Sequence, residues 1–99
     1  LYYALSLRTP SPIVELNRAV AVSMASGPEA GLQLTDPLLR EPSLQAYHLL
    51  PAVRGDLLAK LERFEEARVE LERAASLTRN GRERALLLER AAACAKLVT

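Results

Sequence analysis

Residues 55–77 read GDLLAKLERFEEARVELERAASL, a run built of Leu, Ala, Glu and Arg with no alternating strand pattern. These are helix-forming residues, and their apolar positions recur at three- and four-residue steps. In the first half the stripe extends backwards through Leu50, Val53, Leu57 and Leu61. His48, Ala52, Gly55 and Ala59 make a second, mostly small face, on which a neighbouring helix can approach closely. In the second half, over 65–78, Ala67, Leu71, Ala74 and Thr78 share an inward face. Glu65–Arg68, Arg68–Glu72 and Glu70–Arg73 are spaced to pair on the outer one, at tenths of a kcal/mol each. The stretch predicts an all-α fold.

Working outward, Ser43 is expected to cap the first of these helices, which would reach about residue 62 with a kink or restart at Pro51. Upstream, SPIVELNRAVAV at 11–22 places Ser11 as a cap and Pro12 at the first helical position, where a missing N–H costs nothing. That helix runs to about residue 26. Gly27-Pro28 then ends it and opens a shorter helix to about residue 35, closed by Asp36-Pro37. In this shorter helix Ala30 and Leu34 repeat the spacing of Ala67 and Leu71. Residues 1–8 read as the end of an earlier helix, closed by Thr9-Pro10. Downstream, Asn80 caps the last helix, and Glu83 three residues later completes a capping box. One domain results: a helix end over 1–9, a helix pair over 11–36, a second over 43–79, and a terminal helix over 80–99.

A chain of 99 residues suits a single core. It carries 13 basic and 12 acidic residues, net +1, interleaved so that no helix shows the basic stripe a nucleic-acid surface requires. No apolar run approaches the ~18–20 residues that span a bilayer, and no signal peptide opens the sequence. The single cysteine, Cys94, rules out an internal disulfide and fits a reducing cytoplasm. The first residue is Leu1, within a helical pattern, so the chain is expected to be a piece of a longer protein.

Candidate chemistry is sparse. Arg18 and Glu15 sit three apart on a helix side that faces water. Asn17 lies roughly 200° from Glu15, with Ile13, Val20 and Met24, and is expected to point into the core, tying down a neighbouring turn. On that view Asn17→Leu disturbs the fold more than Arg18→Ala. His48, the only histidine, has no Cys, Asp or Glu within one helical turn and reads as a packed helix residue, not a ligand or base. Cys94 lies on an apolar face without basic neighbours, and it and Met24 are core fillers. No phosphate loop or metal-ligand spacing occurs, so no enzyme activity, metal or cofactor is expected. The candidate groove or partner-binding residues are Asn17, Arg18, His48, Arg54 and Asp56. The candidate structural ones are Gly27, Ala30, Gly55, Ala67, Leu71, Ala74 and Asn80. The last helix is apolar around most of its circumference, through Leu86, Leu87, Leu88, Ala91 to Ala95, Leu97 and Val98. Only Arg82, Glu89 and Lys96, with Arg90, are polar. A terminal helix usually turns a polar face outward, so this one is expected to need contacts across both helix pairs, in a homodimer, or on other regions of its own protein.

Gly55, Leu58, Leu61, Phe64, Ala67, Leu71 and Ala74 resemble the packing positions of a tetratricopeptide (TPR) repeat, with Pro51, Leu58 and Glu62 standing where that pattern prefers Trp, Tyr and Gly. This implies antiparallel helix pairs in a right-handed TPR-like repeat, closed by a C-terminal capping helix. Longer strings resemble one bacterial family. Ser-Pro-Ile-Val-Glu-Leu-Asn-Arg-Ala-Val-Ala (Ser11 to Ala21), Gly-Pro-x-x-Gly-Leu (Gly27 to Leu32), Tyr-His-Leu-Leu (Tyr47 to Leu50) and Asn-x-x-Glu-Arg (Asn80, Glu83, Arg84) are similar to the C-terminal TPR-like region of extracytoplasmic-function (ECF) RNA polymerase sigma factors. The segment 36–43 is shorter than in that family, and Tyr3 stands where an acidic residue is common. The resemblance implies a non-catalytic regulatory domain acting in transcription initiation. Its partners would be the sigma regions of the same chain, RNA polymerase or a regulator, with DNA bound only through regions N-terminal to Leu1. A stand-alone TPR-type adaptor unrelated to transcription is the alternative. A third possibility is an enzyme domain whose active site is completed elsewhere.

Overall fold

The computed structural model describes residues 12–98, all of whose regular structure is helical. The helices are α1 (Pro12–Ser26), α2 (Pro28–Thr35), α3 (Leu49–Lys60), α4 (Phe64–Leu77) and α5 (Gly81–Val98), with 3₁₀ turns at Pro37–Arg40 and Pro42–Leu44 between α2 and α3. The expected helix end over 1–8 and the Ser11 cap lie outside the described residues.

The breaks follow backbone chemistry. Gly27 donates to the Ser23 carbonyl to close α1, then turns with φ +101°, a conformation L side chains rarely adopt, so that Pro28 can start α2. α2 folds back on α1 at closest range, because Gly31 has no side chain. A Cβ there would stand 2.5 Å from Ser23 Cβ and 2.8 Å from the Ala19 carbonyl oxygen. The crossing therefore falls on Gly31, and Ala30, expected to pack there, is only half-buried. One turn on, Thr35 is fully buried and donates to the Leu32 carbonyl, while Leu34, like Ala30, is half-buried.

The expected cap at Ser43 is not formed, and α3 begins six residues later, at Leu49. Proline explains the delay. A helix running through residues 47–51 would drive the Pro51 ring into the carbonyl of Tyr47, whereas in the first turn of α3 its missing N–H has no partner to lose. Ser43 instead donates its N–H and hydroxyl to the Glu41 carboxylate. The two 3₁₀ turns bury Leu38 and Leu44 against Leu16 and Leu50, so the segment between the helix pairs is itself part of the core.

α3 and α4 meet as expected. Ala67, Leu71, Ala74 and Thr78 are at most 3% exposed, and a Cβ on Gly55 would strike the Leu71 side chain at 2.7 Å. The link between them is a Schellman turn: Glu62 N–H donates to Ala59 and Arg63 N–H to Leu58. Its left-handed position is held by Glu62, at φ 62°, where glycine carries no steric penalty. On the outer face Arg68 bridges Glu65 and Glu72, and its hydrogen bonds hold the Glu65 carboxyl below the ordinary carboxylate range. The expected Glu70–Arg73 pair is absent. Glu70 turns inward to Arg54, and Arg73 donates to the Gln45 carbonyl.

Asn80 caps α5 by accepting from the Glu83 N–H at 3.0 Å. The reciprocal arm of the box is replaced. Asn80 N–H goes to the Thr78 hydroxyl, and that hydroxyl donates to Glu83 at 2.6 Å. α5 packs on α4 through Leu87, Ala91 and Cys94, leaving Leu86, Leu88, Leu97 and Val98 about half-exposed or more. Cys94 is a free, buried core residue, as expected.

Candidate interaction face

α1, α3 and α5 supply the side chains of one face, and two side-chain pairings, His48–Glu83 and Asp56–Arg90, fix how α3 and α5 lie on it. At the start of α3, His48 Nε2 stands 2.8 Å from Glu83 Oε1, and the imidazole packs edge-on against Tyr47 at 5.9 Å. Two turns further, Asp56 Oδ1 receives Arg90 Nη2 at 2.6 Å, while its other oxygen holds Lys60 at 3.1 Å. The contacts advance in the same order along both helices, so α3 and α5 run parallel and are clipped at two levels. His48 therefore does have an acidic partner. Its distance in sequence hid it, since a search within one helical turn cannot find a carboxylate on another helix.

Between α1 and α3 the face opens into a groove of about 340 Å³, walled by Val20, Ser23 and Met24 on one side and Ala52, Val53, Asp56, Leu57 and Lys60 on the other. Met24 is 84% exposed. Of the α1 sector expected to face the core, Val20 and Met24 thus line the groove, while Ile13 is exposed. Asn17 is exposed. The physical reason is the crossing at Gly31, which centres the buried side of α1 on Leu16 and Ala19 and turns Asn17 away from it. Met24, for the same reason, is not a core filler. Arg18 is exposed and paired with Glu15 at 3.8 Å, as expected.

Arg54 lies elsewhere. It is 13% exposed at a three-helix junction, where its Nε donates to Glu70 at 2.7 Å and its Nη1 to the Thr35 hydroxyl at 2.7 Å and Asp36 at 2.8 Å. Through these partners Arg54 ties the end of α2 to α3 and α4. Of the five candidate groove residues, the structure brings His48 and Asp56 onto the α3–α5 side, leaves Asn17 and Arg18 exposed on α1 and draws Arg54 into the three-helix junction. Lys60 and Arg90 had no groove role in the sequence. Asp56 and Lys60 are spaced four apart on α3, but Arg90 reaches Asp56 only through the tertiary fold. Among the described residues no group of three or more His, Cys, Asp or Glu side chains is placed to hold a metal ion, and no helix is long and apolar enough to cross a membrane.

No family model matches the chain, and no solved structure matches it. It is similar to an uncharacterized protein of Rhizobium meliloti (strain 1021), 46% identical over 87 residues that cover 88% of this chain. The match spans only 20% of that relative's length.

Proposed function

We propose that the chain is a non-catalytic interaction domain of an ECF-type RNA polymerase sigma factor, built as a TPR-like right-handed helical repeat with α5 as its cap. One observation carries the repeat. The Ala19 carbonyl faces Gly31 across α1 and α2, and Gly55 faces the Ala67 carbonyl across α3 and α4. Twelve residues separate the members of each pair, and thirty-six separate the two pairs. Glycine and alanine exchange sides, yet each helix pair closes at the same point of its sequence. Buried Ala91 stands at the next thirty-six-residue step, on α5.

The sigma-factor reading is supported by where the shared strings fall. Leu16 and Ala19 of the first are buried, Gly27 and Gly31 of the second make the α1–α2 turn and crossing, and the third and fourth meet through His48 and Glu83. Arg84 of the fourth donates to the Ala75 and Thr78 carbonyls at the end of α4. These strings hold the joints of one scaffold, and a scaffold of this kind offers surfaces, not reacting groups. The greater length of the Rhizobium relative leaves room for polymerase-binding regions on the same polypeptide. The half-exposed leucines of α5 supply a contact surface for those regions or for a second copy, in a protein that works in the cytoplasm. The test is reconstitution of the full-length protein with core RNA polymerase, followed by promoter-dependent transcription with and without residues 12–98. Binding and transcription by the intact protein, altered by the deletion, are expected. Failure of the intact protein to bind the polymerase overturns the proposal.

A further inference from the structure

We infer that the outer face of α5 pairs with α5 of a second copy of the chain, antiparallel, about a two-fold axis between Ala91 and Ala92. This pairing does not depend on the sigma-factor reading, since it needs nothing beyond the chain itself. α5 buries Leu87, Ala91 and Cys94, yet Leu86 is 55% and Leu97 62% exposed. At about 100° per residue, Leu86, Ala93 and Leu97 lie within roughly 40° of one another, on a stripe centred roughly 110° from the buried one. Leu88 lies apart from it, in a groove with Ala75 and Ser76 of α4. Single apolar side chains on a surface are ordinary, but leucines aligned over three turns of one helix mark a contact surface.

Self-complementarity identifies the occupant. A two-fold axis sets residue i against j and j against i. Leu86 and Leu97 lie equally far from the point between Ala91 and Ala92, so one antiparallel register places each Leu86 against Leu97 of the second copy. Ala93, close to the axis, is small and lets the helices approach. Glu89 and Lys96 are both exposed and flank the stripe on one side, about 60° and 80° from Leu86. In the same register each Glu89 comes within roughly 3 Å, along the helix, of the level of Lys96 of the second copy, at 1.5 Å per residue. Two ion pairs then border the two leucine contacts. Glu89 makes no hydrogen bond or ion pair among the described residues that would compete. On the other flank Arg90 is held to Asp56 of its own chain at 2.6 Å and brings its counter-charge with it. An unrelated partner would place no such condition on the spacing of these residues. The contact spans one helix face, less than a permanent dimer interface, so micromolar association is expected.

The experiment is sedimentation equilibrium of the 99-residue chain from micromolar to millimolar concentration, with helical circular dichroism of every variant. A monomer–dimer equilibrium is expected. Leu86→Glu and Leu97→Glu, at exposed positions, should each weaken it at least roughly tenfold. Glu89→Lys should weaken it by setting like charges side by side, and adding Lys96→Glu should restore it, because the exchanged pairs keep their geometry with the signs reversed. A monomer at every concentration overturns the inference, as does a dimer indifferent to both leucine variants or a charge exchange that fails to restore association. If the chain stays monomeric while the leucine variants impair the full-length protein in the polymerase reconstitution, other regions of the same protein cover α5 and the pairing is overturned. The two readings fail separately: a dimer whose intact protein does not bind polymerase keeps this pairing and removes the proposed function, and a monomer whose intact protein binds it does the reverse.

Discussion

Replacing Glu62 by glycine should stabilise the protein. Glu62 occupies the left-handed position of the α3–α4 turn at φ 62°, and its exposed side chain makes no hydrogen bond or ion pair among the described residues. For an L residue that conformation costs ~1–2 kcal/mol through crowding of Cβ against the following carbonyl. Glycine removes the cost but gains freedom in the unfolded chain, returning ~0.5–1 kcal/mol of it. The net expectation is a gain of about 0.5–1 kcal/mol, or roughly 2–8 °C in Tm for a domain of this size. Thermal and urea unfolding followed by helical circular dichroism would measure it, with an unchanged m-value showing that the effect lies in stability. Glu66→Gly is the matched control. It lies in the first turn of α4, where glycine costs ~1 kcal/mol relative to a good helix former, and it also removes the ion pair with Arg63. The two substitutions make the same chemical change four residues apart and should shift the midpoint in opposite directions. A fall in the midpoint for both would refute the reasoning.

Gly31→Ala should destabilise by ~1–3 kcal/mol, because its Cβ would meet the α1 backbone and Ser23 at 2.5–2.8 Å, while Gly81→Ala, with nothing within 4 Å, should be neutral or stabilising in the same denaturation assay. Arg54→Met should cost ~1–3 kcal/mol by leaving Glu70 and Thr35 without their donor, and adding Glu70→Leu should recover part of that loss in a double-mutant cycle. Asn17→Leu and Arg18→Ala should each change stability by less than ~0.5 kcal/mol, both side chains being exposed. A large loss for Asn17→Leu alone would restore its core-facing role.

Local chemistry was legible in the residues themselves. Pro12, Gly27-Pro28 and Asn80 mark helix ends because backbone donors, φ preference and capping are set by neighbours within a few positions. The inward face of α4 followed from a three-to-four-residue period that any helix must obey. What depended on residues far apart in sequence was decided only by packing. Whether Asn17 lies in the core or in solvent turns on which side of α1 receives α2. That choice was made by a single missing Cβ at Gly31, a residue the sequence does not distinguish from any other helical glycine. Pro51 carried two readings, a kink or a restart, and the burial of Leu38 and Leu44 settled which. Glu70 had a partner at helical spacing in Arg73 and took the nearly buried Arg54 instead, a guanidinium that also serves Thr35 and Asp36. His48 and Asp56 acquired their partners from α5, thirty-four or thirty-five residues away. Periodicity is a property of one helix, whereas a groove and its charges belong to the spaces between helices, and those exist only once the chain has folded.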